Sequence, residues 1–126
     1  MMCLKLFYNT EAQEEPVNFN ALLNEFDNDT EFVKTLTRTF IVSCRGFSKD
    51  IKSGLKSRDY VKVSEVAHAL KGASGNLRCC SLYRAASDLE LYTKVGQDER
   101  KSKRKANLVL KEIQRVVESI TSYYYA

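Results

Sequence analysis

The chain has 126 residues, 44% hydrophobic and 29% charged, which is enough for one domain with its own core and too few for two. One proline, five glycines and no tryptophan leave too little punctuation for the many turns of a β-sandwich or barrel, so long helices are expected. The formal net charge of +4 favours solubility and acidic partners and falls well short of the dense basic surface of a dedicated nucleic-acid binder.

Residues 1–16, "MMCLKLFYNTEAQEEP", read as an arm ending at Pro16, and 17–126 as the folded domain. The short apolar patch of the arm is broken by Lys5 and has no signal-peptide cleavage site, and no apolar run approaches the roughly 20 residues that span a bilayer. Cys3, Cys44, Cys79 and Cys80 are too few and too irregular for a disulfide framework. A cytoplasmic protein in a reducing compartment is expected, with no membrane contact.

Phe19, Leu22, Leu23 and Phe26 have the spacing of a short amphipathic helix. "DNDT" then caps a long second helix whose stripe is Phe32, Val33, Leu36, Phe40, Phe47, Ile51 and Leu55, with Gly46 and Gly54 expected to soften it. Asp59 is the expected N-cap of a third helix that buries Val63, Val66, Ala67, Leu70, Ser74 and Leu77. A fourth helix follows "RCCS", with Leu82, Ala85, Ala86, Leu89 and Tyr92 inward, and stops near Gly96. The last starts at about Glu99 and buries Ala106, Val109, Leu110, Ile113, Val116, Val117 and Ile120. Four long helices with short connections predict an all-α, antiparallel up-down four-helix bundle, with the short N-terminal helix as a lid on one end.

The third helix carries the only histidine, in "VAHALKGASGNLR". A lone histidine on an apolar helix is usually a satisfied core residue, but at about 100° per residue His68 points roughly 150° away from the buried stripe and should face water. On the same wheel Gly75, Gly72, Ser64, Lys71 and Glu65 all fall within about 60° of it. Two interior glycines cost a helix roughly 1 kcal/mol each relative to alanine, and pointing away from the core they have no packing reason to be there. Clearance for something that approaches His68 from outside is the remaining explanation. An exposed neutral imidazole is a competent nucleophile, and a lysine one turn on balances charge on a transferred anion. There is no GxxxxGK[ST] loop, nucleotide lid or carboxylate cluster for magnesium, so a phosphoryl group carried here has to come from and go to other proteins.

The stretch His68-Ala69-Leu70-Lys71-Gly72-Ala73-Ser74-Gly75 resembles the signature of the histidine-containing phosphotransfer (HPt) domain family, His-x-Leu-Lys-Gly followed by small residues. The helix order extends the resemblance over about residues 17–122. It implies a monomeric carrier in a multistep phosphorelay, accepting a phosphoryl group from an aspartate on the receiver domain of a hybrid sensor histidine kinase and donating it to the receiver of a response regulator. By carry-over His68 is phosphorylated, Lys71 assists at the phosphoryl group and Gly72 clears the approach. Val61, Ser64, Glu65, Gly72, Gly75 and Arg78 are the expected partner-binding residues. No cofactor or metal of its own is implied, since the receiver brings Mg²⁺. One departure stands out: many members have a glycine ten residues after the histidine, where this chain has Arg78, expected near the helix C-terminus.

The alternatives are a helical adaptor or inhibitor that docks receivers on the same surface without phosphorylation, and a basic helical nucleic-acid binder. "CC" at Cys79 and Cys80 reads as two small residues at a helix junction, "RKSKRK" (Arg100 to Lys105) as a solvated helix face, and Tyr123 to Tyr125 as a frayed or packed C-terminus.

Overall fold

The computed structural model of the chain describes residues 15–96 and 98–125, so the expected arm, Glu15 and Pro16 apart, lies outside the described residues, as does Cys3. Five helices run through them: α1 (Phe19–Glu25), α2 (Thr30–Lys56), α3 (Tyr60–Asn76), α4 (Cys80–Val95) and α5 (Glu99–Tyr125). Side-chain oxygens of Asn18, Asp29, Asp59 and Asp98 accept first-turn backbone N–H groups of α1, α2, α3 and α5 at 3.0–3.1 Å. The last four helices form a closed ring in which α3 lies between α2 and α4, and α5 closes against α4 and α2. Val33, Ile51, Val63, Leu70, Leu89 and Val116 are among the side chains sealed between them.

Two of the connections are the same three-residue device. α2 ends with Arg58 at φ 56°, its N–H bonded to the Leu55 carbonyl and that of Asp59 to Gly54. α3 ends with Arg78 at φ 58°, its N–H bonded to Gly75 and that of Cys79 to Ser74. Each is a left-handed helix stop whose last residue is also the N-cap of the next helix, which folds consecutive helices back antiparallel. A left-handed conformation costs an L-residue roughly 1–2 kcal/mol, which is why glycine favours the position that Arg78 takes. Here tertiary contacts hold it: the Arg78 carbonyl accepts from Asn18 N–H at 3.1 Å, and its guanidinium donates to Glu25 Oε1 at 2.7 Å. The tight turn is therefore kept without glycine. These contacts, with Phe19 stacked on Tyr123 at 3.9 Å, seat α1 as a lid on the end shared by the α3–α4 turn and the α5 C-terminus.

Three expectations change. Phe32 is exposed rather than on the buried stripe, because in the first turn of α2 it reaches past the core and packs on Phe26 with ring centroids 5.0 Å apart. Neither glycine softens α2, which is continuous over 27 residues. Gly54 is instead a packing residue: a Cβ there would come within 2.7 Å of Val63 Cγ2, in the buried corner between α2 and α3. Gly54→Ala should therefore destabilise the fold by about 1–3 kcal/mol through overpacking. Gly46→Ala, where a Cβ meets nothing within 4 Å, should gain up to about 1 kcal/mol. Urea unfolding of the two variants gives opposite shifts if the packing is as described, and equal shifts would contradict it.

Candidate functional site

His68 lies midway along α3 on its outer flank, and its side chain is 69% exposed. Its ring is not loose. Nδ1 lies 2.8 Å from Glu90 Oε2, across the groove between α3 and α4, and Lys71 Nζ lies 2.9 Å from the other oxygen of the same carboxylate. Glu90 is only 11% exposed, so its charge needs partners, and these two supply them.

Glu90 went unread in the sequence, where it stood beside the inward Leu89 as an ordinary polar neighbour. The signal was present in the numbering. His68 and Glu90 are each eleven residues from Cys79, where the chain reverses, so an antiparallel α3–α4 hairpin brings them level.

Burial pushes the Glu90 carboxyl up, but the hydrogen bonds from Lys71 and His68, and then the attraction of the same two groups, outweigh it and hold the carboxyl below its ordinary value. Ionised Glu90 has no proton to donate, so the short contact requires the proton to sit on Nδ1 of His68. The neutral ring is then fixed in the tautomer whose lone pair is on Nε2, the nitrogen turned away from Glu90. A depressed folded-state value means that the Glu90 contacts contribute stability that is present above the ordinary carboxylate range and lost as pH falls through the folded-state value. In Glu90→Gln the loss of stability on acidification should be smaller than in the parent chain. Superimposable pH profiles of the urea midpoint would show that the pairing contributes nothing.

The other expected site residues separate into three groups. Val61, Glu65 and Gly72 are exposed on the His68 side of α3, and a Cβ on Gly72 would meet nothing within 4 Å. Ser64 and Gly75 turn toward α4 instead. Ser64 is buried, and Gly75 has a packing role after all, since a Cβ there would meet the Tyr83 ring at 3.1 Å. They let α3 and α4 approach closely enough for His68 to reach Glu90. Arg78 lies at the lid end with its side chain 15% exposed and bound to Glu25, so it is a strut of the α1 lid and presents no free guanidinium to a partner. Two apolar residues not singled out in the sequence, Leu91 beside Glu90 and Val95 one turn on, are exposed on α4.

Among the described residues no group of three or more His, Cys, Asp or Glu side chains comes together that could hold a metal ion, and no helix is long and apolar enough to cross a membrane. Cys44 is buried, and burial pushes its thiol up to about 12.

A family model described as the Hpt domain matches residues 35–119, from the second turn of α2 to near the end of α5. The crystal structure of the HPT domain of an Hpt sensor hybrid histidine kinase from Shewanella superimposes with a TM-score of 0.74. The match covers 88% of this chain and 97% of that one, at 17% sequence identity, a likeness of fold. A comparison with curated proteins finds none that matches.

Proposed function

Since the chain belongs to the Hpt domain family, we propose that it relays phosphoryl groups between the aspartates of two receiver domains, with His68 as the transient carrier. The observation that carries this reading is the exposed His68 ring, tied through Nδ1 to a nearly buried carboxylate.

In the proposed step the Nε2 lone pair attacks the phosphorus of a receiver aspartyl phosphate in line with the P–O bond. The N–P bond forms as the P–O bond breaks, and the aspartate leaves as a carboxylate. Nε2 carries no proton in this tautomer, so none has to be removed. The positive charge that the ring acquires lies 2.8 Å from the Glu90 carboxylate, which stabilises it through Nδ1–H. Glu90 acts here as a positioning residue, setting tautomer and ring orientation. Lys71, held beside the ring by Glu90, is drawn to the arriving phosphoryl oxygens. The receiver supplies Mg²⁺, and donation to the second receiver is the same step reversed.

Val61, Glu65 and Gly72, exposed on α3 around His68, form the docking face. Both receivers need this face, so they compete for it. The experiment is incubation with a phosphorylated receiver domain, followed by acid and base treatment of the labelled chain. Label that is lost in acid and kept in base is the expected result for a phosphohistidine. No label from any receiver that binds would leave a helical adaptor that docks without chemistry.

A further inference from the structure

The charge of the chain is unevenly divided. α2 carries six basic and two acidic residues and α5 seven and three, a net of +8 on two helices, while the rest of the chain holds seven basic and eleven acidic residues. In the ring of four helices the α2/α5 side is opposite the α3/α4 side that presents His68. At the end holding the α2–α3 turn, a groove of about 450 Å³ opens between α2 and α5. Lys52, Lys56, Arg58 and Lys103 stand around it, and Leu55, Tyr60 and Leu110 line it with apolar surface. Arg58 is shared with Glu99 at 3.4 Å. Among the described residues, Lys52, Lys56 and Lys103 have no acidic partner.

We propose that this groove docks an acidic amphipathic segment of a partner protein, at a site separate from the His68 face. Three features select that occupant. Lys52 and Lys56 are one helical turn apart with Lys103 across the groove, a spacing that suits carboxylates repeated every turn of a helix. The apolar lining is recessed, since Tyr60 is buried and Leu55 and Leu110 are half-buried. A recessed lining accepts side chains from a peptide, whereas a lipid surface takes protruding apolar residues and a nucleic-acid duplex, which engages cations mainly through its phosphates, has no apolar side chains to fill it. A partner held here leaves His68 open, which one docked on the α3/α4 face cannot do.

The test uses the full chain and a short synthetic helical peptide of Glu and Leu with one apolar face, alongside polyglutamate, a DNA duplex and phosphatidylserine vesicles. The peptide should shift the amide signals of Leu55, Lys56, Lys103 and Leu110 and leave those of His68 and Gly72 in place. Joint Lys52→Glu, Lys56→Glu and Lys103→Glu substitution should weaken the peptide about tenfold or more. Labelling of His68 by a phosphorylated receiver should be unchanged in that variant, and this reports that its site is still folded. Shifts confined to the His68 face, or a peptide affinity that the triple variant leaves intact, would overturn the proposal. So would polyglutamate, duplex or vesicles binding as tightly as the peptide, because the groove would then be a general polyanion surface.

Discussion

His68→Gln is expected to fold as the parent chain does and to take up no phosphoryl label at all. The ring is mostly exposed, so its removal uncovers little core, and Glu90 keeps its ion pair with Lys71 at 2.9 Å. Unfolding free energy should therefore stay within about 1 kcal/mol of the parent. What disappears is the only imidazole in the chain, and glutamine has no nucleophilic ring nitrogen to replace it. Labelling under matched conditions measures this loss, and retained label on His68→Gln would move the site to another residue.

Gly72→Gln is expected to separate stability from transfer, moving them in opposite directions. A side chain at this exposed position meets no neighbour within 4 Å of its Cβ, and glutamine is the better helix former, so stability should rise by somewhat under 1 kcal/mol. Transfer should nevertheless fall sharply. A side chain one turn from His68 would hold the receiver aspartate beyond the short in-line distance that the reaction needs. A thermal melt and a transfer assay on one sample measure both. A stabilised and fully active variant would remove the clearance role, and a destabilised one would contradict the exposure of Gly72.

The contrast among the glycines shows where one-dimensional reading stops. Helical phase placed His68 and Gly72 in water because exposure on an amphipathic helix depends mainly on that helix's own stripe. The same wheel put Gly75 and Ser64 in the clearing, but both lie toward the flank where α4 packs, and only the neighbour decides whether a flank is open or covered. Gly54 misled for a similar reason, its role being set by Val63 on the next helix. Arg78 carries a side chain where the left-handed stop favours none, and its compensation comes from Asn18 and Glu25, more than fifty residues away in sequence. Glu90 is the most consequential omission. A single acid beside a buried leucine looks like a helix flank until the hairpin pairs it with His68.

In the proposed relay Glu90 fixes the His68 tautomer so that the outward Nε2 carries the phosphoryl group. Nitrogen NMR of the histidine ring, before and after incubation with a phosphorylated receiver, tests it most directly, because the two ring nitrogens give separate signals in each protonation and phosphorylation state. Before transfer the proton should lie on Nδ1, and after it a new N–P bond should appear at Nε2 with Nδ1–H retained. A proton on Nε2 in the resting chain, or a phosphoryl group on Nδ1, would contradict it.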